Sequence, residues 1–187
     1  MTPSQITAIK ADIAASPDLV GKQDYQIAAL YNLPAVPNYD VWRTEAPVKG
    51  VYEAIDGTKY TPADTPLLAD LPAKAAWFLN LCGMINIKQM QLQNLLIGKT
   101  EIDASKAGTR SWLKDAVTGV PAGPNGAAIN PGGANATAVM NTLIRPALRI
   151  EKLLVLRTEQ TGVVTAGVMG REGTISPQEI SDVLNLL

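Results

Sequence analysis

Three times in this chain a hydroxyl residue stands before a proline, with an acceptor side chain three places beyond the hydroxyl. The three sites are Thr2-Pro3-Ser4-Gln5, Thr61-Pro62-Ala63-Asp64 and Ser176-Pro177-Gln178-Glu179. Each is a helix start. The hydroxyl accepts from an orphan backbone N–H, and proline fills the first helical position without losing a hydrogen bond. A chain punctuated this way is expected to be mostly α, an irregular helical domain of about five to seven helices.

The periodicity places those helices. Pro3 to Ala15 carries Ile6, Ile9 and Ile13 on one face and is ended by Ser16-Pro17, and Gln23 to Tyr31 buries Ile27 and Leu30. Leu33 to Pro47, with its prolines, predicts an irregular strap. Val48 to Ile55 predicts a short helix before Asp56-Gly57. Pro62 to Ile97, broken near Pro72, predicts the longest helix, ended by Gly98. Asp103 or Ser105 opens a helix to Thr118, with Trp112, Leu113, Ala116 and Val117 inward. Gly119 to Ala134 holds five glycines and three prolines and predicts a long loop. Asn135 to Leu156 reads as helix again, kinked or split by Pro146. Beyond it the pattern changes. Thr158 to Thr165 leans to β, and Gly162, Gly167, Gly170 and Gly173 recur too often for helix. Arg157 to Gly173 reads as an extended arm or a loose hairpin, so the expected organisation is a helical body, 1–156, and an extended C-terminal arm with a short final helix, 157–187. Such an arm either packs back on its own domain or holds a neighbouring subunit.

Composition narrows the chemistry. Of 187 residues none is histidine and one, Cys82, is cysteine. The commonest general acid/base and metal ligand is thus missing, and no intrachain disulfide can form. Cys82 lies in the apolar helix with no base in sequence reach and is expected as a small buried hydrophobe. Acidic residues such as Asp12, Asp24, Asp40, Glu53, Asp70, Glu101 and Asp103 are scattered. The chain is read as a non-enzyme, with no catalytic residues, no cofactor and no metal. Its 16 basic and 17 acidic side chains leave a net charge of −1, without the broad positive field of a nonspecific nucleic-acid binder. Met1 to Gln5 has no signal-peptide pattern, and Ala75 to Ile87 is too short and interrupted to span a bilayer, so a soluble protein made in the cytoplasm, with no membrane partner, is expected.

Two motifs fail on inspection. Gly98-Lys99-Thr100 resembles the end of a phosphate loop, but Gln93 stands where a glycine is needed and the triplet ends a helix. Asn135-Ala136-Thr137 matches a glycosylation acceptor that carries no meaning without secretion. The candidate contact residues lie later in the chain. Arg145, Arg149, Lys152 and Arg157 fall on one predicted helix, the first three on one face. They form either a solvated face or a patch for nucleic acid or an acidic partner, and the lack of interleaved aromatics favours the former. Along the arm, Val163, Val164, Val168 and Met169 are the apolar candidates.

A resemblance adds to this. Val41-Trp42-Arg43-Thr44-Glu45-Ala46-Pro47-Val48, continuing to Tyr52-Glu53-Ala54-Ile55 and Tyr60-Thr61-Pro62-Ala63-Asp64, is similar to a pattern in small tailed-bacteriophage virion morphogenesis proteins. Gln91 to Thr100, Trp112 to Val117 and the ending Gly170-Arg171-Glu172-Gly173-Thr174-Ile175-Ser176 resemble the same group, so the likeness runs from Ala8 to Ile180. It consists of structural words rather than a chemical signature, and it carries no catalytic residues. It implies a structural virion protein assembled in the host cytoplasm: a head–tail connector or adaptor of the neck, forming a homo-oligomeric ring between portal and tail proteins. Alternatives are a tail or baseplate component, a DNA-packaging accessory touching DNA in the channel, or a small carboxylate-dependent enzyme.

Overall fold

In the computed structural model, which describes residues 1–57, 71–118 and 134–186, two of the three hydroxyl–proline starts are built as reciprocal caps. Gln5 N–H donates to Thr2 Oγ1 at 3.3 Å while Thr2 N–H donates to Gln5 Oε1 at 2.8 Å. At the other end, Glu179 N–H donates to Ser176 Oγ at 3.2 Å and Ser176 N–H to Glu179 Oε2 at 2.9 Å. The Thr61 start lies outside the described residues, as does the Gly/Pro loop up to residue 133.

In chain order the elements are α1 (Pro3–Ala15), α2 (Asp24–Tyr31), β1 (Asp40–Trp42), β2 (Ala46–Pro47), α3 (Val48–Glu53), α4 (Leu71–Leu96) and β3 (Glu101–Ile102). There follow α5 (Ala107–Val117), α6 (Ala134–Thr142), β4 (Ile144–Pro146), α7 (Arg149–Leu153), β5 (Val155–Gln160), β6 (Thr165–Met169) and α8 (Pro177–Asn185). The expectation of a mostly α chain with five to seven helices is therefore overturned. Among the described residues eight helices share the chain with six strands, four of them in a mixed sheet of order β4-β1-β6-β5 and two in a β2-β3 ribbon.

Two segments carry much of the difference. The helix expected over 135–156 is interrupted, because Pro146 offers no N–H and its ring drives Arg145 out of the α region. The chain runs extended through β4 and resumes as the single short helix α7. Of the two readings of 157–173, an extended arm or a loose hairpin, the hairpin is what forms: β5 pairs antiparallel with β6, Thr158 opposite Gly167 and Glu159 opposite Ala166, with a bulge between Val155 and Arg157. Its glycines have assigned work. A Cβ at Gly167 would lie 2.7 Å from Tyr39 Cε1, and one at Gly170 would lie 2.6 Å from the Leu154 carbonyl oxygen.

By its contacts the chain divides into two compact units. The first combines Met1–Trp42 with Arg145–Gln160 and Thr165–Leu187. Here β1 runs parallel to β6, Val41 opposite Gly167, and α8 packs on α1 and α2. Ile9, Ile27, Tyr31, Ile150, Ile175, Ile180 and Val183 make the core. The amphipathic spacing of Ile180 and Val183 is what turns α8 inward, as its sequence predicts. Asn32 fixes the chain entering α8 by donating to Ile175 O at 2.9 Å and accepting from Ile175 N–H at 2.8 Å.

The second unit comprises Arg43–Ile144 with Thr161–Val164. Helix α5 packs on α4 and α6, burying Leu113, Ala116 and Val117. Trp112, expected inward, is instead 44% exposed. Gly98, at φ +70°, ends α4 in a left-handed turn, the helix-stop role its sequence position suggested. Asn135 is buried. Its amide donates to Asp56 O at 3.2 Å and accepts from Asp56 N–H at 3.2 Å, so the side chain of the apparent glycosylation motif is a backbone clasp.

Candidate interaction surface

The four basic residues singled out from sequence do not form one helix face. Arg145 lies in β4, Arg149 and Lys152 in α7, and Arg157 in β5. Each is committed within the chain. Arg145 grips Glu151 with both terminal nitrogens, at 2.7 and 2.6 Å, and reaches Glu172 Oε1 at 3.0 Å. Glu151 has no exposed surface and also accepts from Leu148 N–H at 2.9 Å and Gly173 N–H at 2.7 Å. Burial pushes its carboxyl up, but Arg145 and the two backbone donors outweigh that and hold it below its ordinary value. This is a lock between β4, α7 and the turn before α8.

Arg149 pairs with Asp18, reaches Asp12 Oδ2 at 3.5 Å and lies 5.5 Å from the centre of the Tyr31 ring. Tyr31 donates to the same Asp12 oxygen at 2.9 Å, and burial together with that carboxylate holds its phenol strongly protonated. Lys152 donates to the carbonyls of Val36 at 3.3 Å and Pro37 at 3.0 Å. Asp12, Asp18, Arg149 and Lys152 line a groove of about 640 Å³ in the first unit, with Leu33 and Val36 exposed on its rim. Arg157 pairs with Glu159 on its own strand.

Of the apolar candidates, Val168 is buried in the sheet, and Met169 is half-buried beside the cluster of Ala35, Val41 and Ala147. Val163 and Val164 are half-buried at the hairpin turn, where Thr161 N–H donates to Val164 O at 2.9 Å. Compared with family models, curated proteins and solved structures, the chain matches none of them. Among the described residues no three acidic or thiol side chains gather to hold a metal ion, and no helix is long and apolar enough to cross a membrane. Cys82 is half-buried rather than enclosed.

What the exposed surface offers instead is of two kinds. In the first unit, among the described residues, β5 ends the sheet with β6 on one side, and its residues are largely exposed, Leu156 at 67%. In the second unit α4 presents a band of exposed apolar side chains, Met84, Ile87 and Met90, with Ile97 exposed just beyond its end. Sequence reasoning missed the α4 band and touched β5 only through Arg157 and the expected contact role of the 157–173 arm. The α4 band was legible as apolar residues in excess of what one buried stripe needs. The β5 edge had a weaker signal, a β-branched and charged run directly after a short helix.

Proposed function

We propose that this chain is a structural subunit of a tailed-bacteriophage virion, acting in the neck as a head–tail connector that closes into a ring between portal and tail. One observation carries the assembly part of this reading: the chain presents two unlike contact surfaces, the open β5 edge and the apolar band of α4. A ring is made by head-to-tail contacts, which join two different patches of the same subunit. An open strand edge and an exposed apolar helix face are both surfaces that bind by burial and main-chain pairing rather than by chemistry. The neck placement rests on the resemblance of the Val41–Val48, Gln91–Thr100 and Gly170–Ser176 segments to small virion morphogenesis proteins.

The DNA-packaging alternative loses its support, since the cations it would use are engaged by Glu151, Glu172, Asp18, Asp12, Glu159 and two carbonyls. Mass photometry of the purified chain, alone and with portal protein, tests the proposal. The expected result is a ring that forms with portal and whose subunit count matches it. A count matching the tail tube or baseplate would move the protein there. A strict monomer that binds no portal or tail protein would end the structural reading.

A further inference from the structure

We propose that the free protein pairs with a second copy of itself through β5, the two strands antiparallel about a two-fold axis at Thr158. The argument starts from the hydrogen bonds already made. Thr161 N–H donates to Val164 O, and pairs of an antiparallel ladder alternate between bonded and non-bonded. Counting back along the observed register, Glu159 and Arg157 turn their backbone groups to β6, while Thr158 and Gln160 turn theirs outward. Among the described residues β5 has a paired neighbour on its β6 side only. An edge of this kind, with six residues, no proline and exposed Leu156, is a template for another strand.

The charges on β5 select the occupant. Two copies placed antiparallel with Thr158 facing Thr158 bring Arg157 of each opposite Glu159 of the other, twice. The outward-turned backbone of Thr158 makes that central pair a bonded one. The Arg157–Glu159 pairs then fall at the non-bonded positions, where facing side chains approach most closely, about 4.5 Å between Cα atoms. Within one copy Arg157 and Glu159 already pair on one face of the strand, and the dimer brings the same two groups together across the strands. On the opposite face Thr158 is held by Tyr39 Oη at 2.6 Å, which keeps charge away from the axis.

A two-fold contact closes on itself, so this pairing describes the unassembled protein and stands apart from the ring proposed above. The β4 end of the sheet is a poorer template, three residues long with Pro146 in it.

A strand-edge interface is small, and a dissociation constant on the order of 10–100 µM is expected. Sedimentation velocity of the full chain, over concentrations spanning that value, should show a monomer–dimer equilibrium. R157E leaves β5 acidic at both positions and E159R leaves it basic at both; each should weaken self-association about tenfold or more. Mixing the two variants should restore dimerisation as a heterodimer, because every facing pair is then complementary. The doubly exchanged chain, R157E/E159R, should dimerise as the parent does and guards against a variant that misfolds. A parent that stays monomeric throughout, single variants that dimerise as well as the parent, or a mixture no better than its components would each overturn the pairing. Ring and dimer would use the same β5 edge, so portal should compete with dimerisation; rings on portal without a free dimer would fail only the pairing, and a free dimer that ignores portal would fail only the connector reading.

Discussion

Two arginine–glutamate pairs lie at opposite ends of one four-stranded sheet and have opposite physical content. In β4, Arg145 meets a carboxylate with no exposed surface and four donors around it. In β5, Arg157 meets Glu159 beside solvent, its own side chain 57% exposed. The first pair has already lost its water, so every remaining bond is needed to offset that loss. The second keeps water as an alternative partner and can exchange one carboxylate for another at little cost. Identical chemistry therefore makes a lock at one end of the sheet and an exchangeable contact at the other.

The comparison breaks first at Glu151. E151A leaves Arg145 with Glu172 alone and strips two backbone donors of their acceptor, so a loss of about 3–5 kcal/mol is expected in urea unfolding. A loss below about 1 kcal/mol would show that the lock is no lock. Acid should weaken the same site. The folded-state pKa of Glu151 lies below its ordinary 4.5, so its contribution is complete above 4.5 and disappears as pH falls through the lower folded value. E151Q should flatten that acid limb in a series of thermal melts, and an unchanged slope would remove Glu151 as its source.

Next in size is G170A, which drives a Cβ to 2.6 Å from the Leu154 carbonyl and should cost about 1–3 kcal/mol through a backbone shift. S176A removes the cap of α8 and should cost about 1 kcal/mol. R157A comes last: its effect on monomer unfolding should stay under about 1 kcal/mol, while self-association measured on the same sample falls. An R157A variant as unstable as E151A would erase the distinction between the two ends.

The helices were legible because their signals are local. Thr2 and Ser176 announce their caps within four residues, and the apolar spacing of α1, α2, α5 and α8 repeats often enough to be seen. The strands were not. β1, β2, β3 and β4 have two or three residues each, too few for an alternating pattern to emerge. Pro146 was read as kinking or splitting one helix; it does split it, but as the last residue of strand β4, so Arg145 lies in that strand and off the helix that holds Arg149 and Lys152. The spacing rule that placed them on one face holds only while the helix continues. The carboxylates that take up these cations, Asp18 and Glu172 among them, are distant in sequence, and no local pattern pairs Arg149 with a residue 131 positions away.

The first unit is assembled from both ends of the chain, with Gln5 donating to Gly170 O and Asn32 to Ile175 O. On a ribosome its opening 42 residues emerge roughly a hundred residues ahead of the strands and helix that complete it. At ordinary synthesis rates that is a wait on the order of 5–20 s, during which the apolar faces of α1 and α2 have no final home. The second unit, nearly continuous, can close in the meantime. Newly made chains should therefore be most exposed to chaperones and proteases along α1 and α2.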